Sequence, residues 1–575
     1  MKRRPEPLRV GPVLAARPQV LRKGAKAAPR ERAQAVRVEL PRGRTWLMHA
    51  AIASVFIAIA GQTVRLAASG EEETRLSRAE PIGQTYIRPD IVDRRGNLLA
   101  TDVDAASLFA DPAMVRNVDL TAERLAATFP ELKAAELRHH LADSTRRFMW
   151  IKRGLTPIEA QRAHDLGLPG IGFRREPRRV YPTGHLTAHI VGHVDVDNRG
   201  IAGIEKHIDD IGEMDAATAP RRSSRAPVRL SIDLGVQNAV ADTLAEAMKQ
   251  YKADGASGVI VDAASGEIVA AVSLPNEDPE KFPGADENDR KDRVMAGTFE
   301  LGSIAKTLTL GLALDDLGAA LTRIYDTREP LRFGRYNIAE QYPPGRPITL
   351  AEILIRSSNV GAGLIAMEAG VPRQRAFLDR LGLLESMRTE AGPVAKPQIP
   401  ERWGPLEGVT IAYGHGLAVA PLQFATAVAG LVNGGVKVRP TMLQQDTVPP
   451  GEARVVSPAT SAALREALRR VVTDSHGTGR RAELEGYEIG GKTGTAEQPG
   501  RGGYRDKTVI SSFLAVLPAT APRYVMLISL FEPEGTAETK GKITAGLNAA
   551  PTTARIIQRI GPMLNLVPDR VAGAN

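Results

Sequence analysis

GYEIGGKTGTAE, residues 486–497, fits two motifs that belong to different folds. Gly486–Thr493 matches G-x-x-x-x-G-K-[ST], the loop that cradles nucleotide phosphates, whereas Lys492-Thr493-Gly494 matches the K-T-G of a serine acyl-transfer site. One reading makes the chain an NTPase, the other an acyl-transfer enzyme outside the cytoplasm. A phosphate loop joins a buried strand to a helix whose N-terminus faces the phosphates. Here DSHGTGRRAELE precedes Gly486, and Gly494 with Gln498-Pro499-Gly500 leaves no room for a helix after Thr493. VIVD at 259–262 could imitate a magnesium-binding strand end, but AASGEIVAAV follows it and predicts a hairpin through Ser265-Gly266.

Composition sets the wider frame. A chain of 575 residues with 43% hydrophobic content predicts two or more domains, at about 100–200 residues each. The absence of cysteine excludes disulfides, thiolate metal sites and a cysteine nucleophile. The net charge of +9 is concentrated at the N-terminus: residues 1–45 hold 13 Lys or Arg and 3 acidic residues, leaving 62 basic and 63 acidic elsewhere. A nucleic-acid-binding body is therefore not indicated. Residues 1–44, with six prolines and no periodicity, read as a disordered basic tail. Thr45–Val64 then has twenty residues without Asp, Glu, Lys or Arg, bracketed by Arg44 and Arg65. As a helix it reaches about 30 Å, enough for a bilayer core. The basic flank places the N-terminus in the cytoplasm and the body across the membrane, away from cytoplasmic nucleotides.

The acyl-transfer reading requires a serine with a lysine three residues on, at the start of a helix. ELGSIAKTLTLGLALDDLG at 300–318 contains Ser303 and Lys306, the chain's only S-x-x-K. Gly302 and Gly318 bound a strongly apolar segment that predicts a helix of about four turns, with Lys306 one turn above Ser303 on the same face. A serine hydroxyl is a weak nucleophile, and a lysine can act as its base only if burial or a neighbouring cation lowers its pKa. Lys492 is a candidate for that cation. IRSSNVGAG supplies a third element, Ser357 and Asn359, between the other two. Singly these motifs are weak; three in order are a strong signal.

On these motifs, residues 227–560 resemble the transpeptidase domain of the penicillin-binding proteins. VIVDAASGEIVAAVSLPNEDP at 259–279, YGHGLAVAPLQ at 413–423 and SSFLAVLPATAPRYVMLI at 511–528 extend the likeness. IRPDIVDRRGNLLA at 87–100 and RRVYPTGHLTAHIVGHVDVDNRGIAGIE at 178–205 resemble the pedestal of the class B, monofunctional members. Within class B, the short pedestal and order of elements are similar to the septal, FtsI-type transpeptidases; the elongation type is the near alternative. Many relatives have Pro-Gly-Ser-Thr-Phe-Lys where this chain has Leu301-Gly302-Ser303-Ile304-Ala305-Lys306, a difference in packing groups rather than chemistry.

The resemblance implies an α+β/α/β architecture: a basic tail (1–44), a single transmembrane helix (45–65), an elongated α+β pedestal (66–226), a transpeptidase domain (227–560) and a C-terminal tail (561–575). That domain is expected to have a central antiparallel sheet flanked by helices and an all-helical subdomain. It further implies a peptidoglycan stem-peptide donor lying beside an edge strand that carries Lys492, Thr493, Gly494 and Thr495. Lys492 and the hydroxyls of Thr493 and Thr495 would hold its terminal carboxylate. Ser303 would attack with Lys306 as base, and the Ser303 and Thr495 N–H groups would form the oxyanion hole. Ser357 would pass a proton to the departing D-Ala, and Asn359 would orient the peptide. The resemblance implies no cofactor and no metal; the His185, His189 and His193 run falls on a pedestal motif. Partners implied are peptidoglycan and its lipid-linked strands, β-lactams, the bacterial inner membrane, an FtsW-type glycosyltransferase and other division proteins, but no nucleic acid. A non-catalytic β-lactam sensor or divisome scaffold is the alternative from another class.

Overall fold

The computed structural model describes residues 46, 49–62, 88–211, 226–276, 291–449, 453–500, 503–566 and 568. The basic tail and both flanks of the 45–65 span lie outside them. Residues 49–62 are helical, with the side chains of Val55, Phe56 and Ile57 exposed. Among the described residues no helix is long and apolar enough to cross a membrane. Everything below concerns the compact unit beginning at Gly83.

A five-stranded antiparallel sheet organises its larger part, in the order Gly490–Gly500, Gly503–Leu517, Tyr524–Phe531, Gly255–Asp262, Ile268–Leu274. The last two form the expected hairpin. Gly266 in its turn has φ +78, and a Cβ there would lie 2.0 Å from the Arg439 carbonyl oxygen. The three inner and far strands are buried on both faces, which is why they read as unbroken apolar runs. Successive side chains still point to opposite layers. Val525 and Leu527 join the core beneath helices Pro421–Val432 and Pro458–Thr473, whereas Tyr524, Met526 and Ile528 join the core beneath Leu234–Tyr251 and Ala549–Ile560. Pro421–Val432 is buried along its whole length, and Lys306–Asp315 over its first eight residues. Helices apolar on all sides need such enclosure, and the enclosure reaches Lys306.

In the pedestal, strand Leu98–Ala110 pairs antiparallel with both Met149–Leu155 and Ile171–Val180. The two pedestal motifs meet in a buried ion network. Glu205 accepts from Arg88 Nε at 2.8 Å and from Arg179 Nε at 2.6 Å, while Arg88 also pairs with Asp209 and Arg179 with Asp102. The Asp93-Arg94-Arg95 turn joins the pedestal to the catalytic part: Asp93 Oδ2 accepts from the Leu234 N–H at 3.0 Å, Arg94 pairs with Glu267 and Arg95 with Asp233. The histidine run is not one helix; a 3₁₀ turn Gly184–Thr187 leads into a single turn Ala188–Val191 that stops at Gly192, φ +75.

Removing one member of a buried ion network leaves its partners charged and uncompensated. Glu205→Ala is expected to destabilise the pedestal by about 3–5 kcal/mol, read as a lower midpoint in chemical denaturation, whereas exposed Lys133→Ala leaves the midpoint in place.

Candidate active site

Ser303 sits in a 3₁₀ turn, Gly302–Ala305, and Lys306 is the first residue of the α-helix that continues it. The serine therefore stands just before the α-helix rather than within its first turn. The edge strand Gly490–Gly500 presses against that turn so closely that a Cβ on Gly494 would lie 2.5 Å from the Leu301 carbonyl oxygen. Glycine in the K-T-G motif is thus a requirement of backbone approach.

Ser357 arrives by another route. It caps helix Leu350–Arg356 in the left-handed conformation, φ 62 and ψ 45, at a strain of order 1–3 kcal/mol for a non-glycine residue. Ser358 immediately begins the next helix, Asn359–Arg380, its Oγ accepting from the Gly361 N–H at 2.8 Å. The sharp break between the two helices presents Ser357 and Asn359 to the serine–lysine pair.

All three motifs converge. Lys306 Nζ lies 2.8 Å from Ser303 Oγ, 3.0 Å from the Ser357 carbonyl oxygen, 3.2 Å from Ser357 Oγ and 2.6 Å from Asn359 Oδ1. Lys492 Nζ donates to Ser357 Oγ and to the Thr493 carbonyl oxygen, both at 2.9 Å. One hydroxyl, Ser357 Oγ, therefore stands between two lysine amines. Thr493 Oγ1 donates to Thr478 Oγ1 at 2.7 Å, and Thr495 Oγ1 accepts from the Ala545 N–H at 3.1 Å.

Electrostatics follow from enclosure. Lys306 is 1% exposed and Lys492 0%. Burial drives the Lys306 ammonium from its usual 10.5 down to about 7, against an opposing pull from Glu340. Burial first, and then repulsion from Lys306, holds Lys492 well below its usual range. The repulsion falls on Lys492, not on the base: burial, not Lys492, lowers Lys306, which takes a proton first, and the pair resists carrying two charges at once. Four oxygens surround Lys306 Nζ within 3.2 Å, and in the neutral amine one of its three sites is a lone pair that can accept from the Ser303 hydroxyl.

The lysines stand behind a cleft of about 940 Å³ lined by Ser303, Ser357, Asn359, Thr493 and Thr495. The cleft also includes Glu340, Tyr413, His415 and Thr478, which the sequence motifs do not mark as site residues. His415 Nδ1 is 3.1 Å from Glu300 Oε2. Thr478 lies within the GTG of DSHGTG, and Tyr413 and His415 within YGHG; those glycine-flanked stretches are the available signal. Glu340 has none.

Residues 256–557 match the penicillin-binding protein transpeptidase domain, and residues 85–211 match the penicillin-binding protein dimerisation domain. The chain is 35% identical over 490 residues to the probable peptidoglycan D,D-transpeptidase FtsI of Caulobacter vibrioides, covering 83% of this chain and 82% of that one. It is 29% identical over 531 residues to the peptidoglycan D,D-transpeptidase FtsI of Escherichia coli, with 87% of each covered. The apo transpeptidase domain of Burkholderia pseudomallei penicillin-binding protein 3 aligns with TM-score 0.53 at 28% identity, over 59% of this chain and 98% of that one.

Gly494→Ala is expected to force the edge strand away from the serine turn. The outcome to look for is an acylation rate at least tenfold lower with a stability loss of about 1–3 kcal/mol, measured by labelled-penicillin kinetics and thermal unfolding.

Proposed function

The chain belongs to the class B penicillin-binding proteins, serine-type D-Ala-D-Ala transpeptidases that cross-link peptidoglycan, and we propose that Ser303 is its acyl-accepting nucleophile with Lys306 as base. The supporting observation is the 2.8 Å approach of a buried lysine amine to Ser303 Oγ. Neutral Lys306 takes the hydroxyl proton as Ser303 Oγ bonds to the penultimate carbonyl carbon of the donor stem peptide. The Ser303 and Thr495 N–H groups hold the developing oxyanion. Lys492, Thr493 and Thr495 hold the terminal carboxylate. Asn359 orients the donor's amide. Collapse breaks the C–N bond, and the departing D-Ala amine takes a proton passed from Lys306 through Ser357 Oγ. An amine of a second stem peptide then attacks the ester, forms the cross-link and returns the proton to Ser303. A β-lactam enters by the same first step, and its acyl group stays on the serine.

We place this work in septal wall synthesis, in keeping with the FtsI-named relatives. The 45–65 span would anchor the chain with its N-terminus in the cytoplasm. The pedestal (66–226) and transpeptidase domain (227–560) would then face outward, beside a polytopic FtsW-type glycosyltransferase and other division proteins.

Labelled penicillin should modify the wild-type chain at Ser303 and leave Ser303→Ala unmodified. Lys306→Met should lose about 10²–10⁴-fold in acylation rate. Because the neutral amine is the active form, the wild-type rate should rise as pH climbs through about 7 and fall below it. Equal labelling of wild type and Ser303→Ala would overturn the assignment.

A further inference from the structure

One carboxylate of the cleft has no part in the steps above. Glu340 stands two residues beyond the short strand Tyr336–Ile338, on the loop whose Gln341, Tyr342 and Pro344 also line the cleft. It reaches across to the Ser357–Asn359 break. Its Oε1 accepts from the Ser358 hydroxyl and from the Val360 N–H, the latter at 3.2 Å, and its Oε2 accepts from the Asn359 N–H at 3.2 Å. Three donors at one helix start are thus satisfied by a side chain eighteen or more residues upstream.

We propose that Glu340 is a positioning residue for acyl transfer: it fastens the Ser357–Asn359 turn to the cleft loop and sets a negative charge against the buried Lys306. Two observations carry this beyond an ordinary helix cap. Of the residues it bonds, Asn359 touches Lys306, its Oδ1 2.6 Å from Nζ, and Ser358 directly follows Ser357, whose Oγ lies within 3.2 Å of both amines. The charge also acts in the opposite sense to burial, pulling the Lys306 proton affinity back up. Lys306 is faced by Lys492 from the edge strand and by Glu340 from the loop. Tyr342, Tyr413, His415, Arg356, Arg480, Arg481, Lys542 and Glu497 line the same cleft. Glu340 therefore keeps the Lys306 transition near neutrality, where the amine can both accept the serine's proton and return it.

The inference rests on Ser303 and Lys306 acting as proposed above. Its test is the rate of Ser303 acylation by a labelled penicillin, followed across pH with the full chain in detergent. Wild type should show its rise through about pH 7. Glu340→Gln keeps the shape and removes the charge, so its midpoint should fall by about half a unit or more, each full unit being a tenfold change in the neutral fraction. Glu340→Asp, which withdraws the charge by one methylene, should shift the midpoint the same way by less, and it carries the test if the Gln variant does not fold. A cap with only a structural role lowers the plateau or the melting temperature and leaves the midpoint unmoved. Midpoints equal to wild type in both variants would overturn the proposal, whatever happens to the plateau. Failure of wild type to acylate at Ser303 would instead overturn the underlying assignment.

Discussion

Two lysine amines are buried on either side of one serine hydroxyl, and the rest of the site is arranged around that cost. Water would stabilise each ammonium strongly; enclosure at 1% and 0% exposure removes that stabilisation. For Lys306 alone, a fall from 10.5 to about 7 corresponds to a lost preference for the charged form on the order of 4–5 kcal/mol. A fold optimised only for stability would place apolar side chains here. What the chain gains is an amine about half neutral near pH 7 and within hydrogen-bonding distance of a serine.

Holding that amine requires three separate pieces of backbone. The buried helix Lys306–Asp315 encloses the first lysine. The sheet's edge strand brings in the second, in register with Leu514 of its neighbour. The break between two helices delivers Ser357 in a left-handed conformation. The first two are held together, because the edge strand and the serine turn approach too closely for a side chain on Gly494. The pedestal connects to this arrangement through Asp93, Arg94 and Arg95 at its junction with the catalytic part, at positions remote in sequence from all three motifs.

Much of this was legible in sequence because the chemistry needs particular residue types at fixed spacing. Ser303 with Lys306, the 259–274 hairpin and the Lys492 strand each leave a local pattern, whether a helical turn, a two-residue period or a glycine forced by backbone contact. The phosphate-loop match failed for an equally local reason: Thr493 is followed by strand, with no helix to receive a phosphate. Ser357 was legible as a residue but not as a strained one, since its left-handed backbone depends on how two helices abut. Glu340 was not legible at all. Its partners lie eighteen to twenty residues away, beyond the strand Ile348–Thr349 and the helix Leu350–Arg356, and no periodicity connects them. Of the expected 45–65 span, residues 46 and 49–62 are described, and 49–62 are helical.

The central claim is the shared charge of the lysine pair. It is tested most directly by an NMR titration of ε-carbon-labelled lysine in the full chain, with the Lys306 and Lys492 signals assigned by Lys306→Met and Lys492→Met. A Lys306 signal that titrates near 7 in wild type, with a Lys492 signal well below the ordinary lysine range that rises when Lys306 is replaced, is the predicted result. Two independent transitions above about 10, the ordinary lysine range, would contradict it.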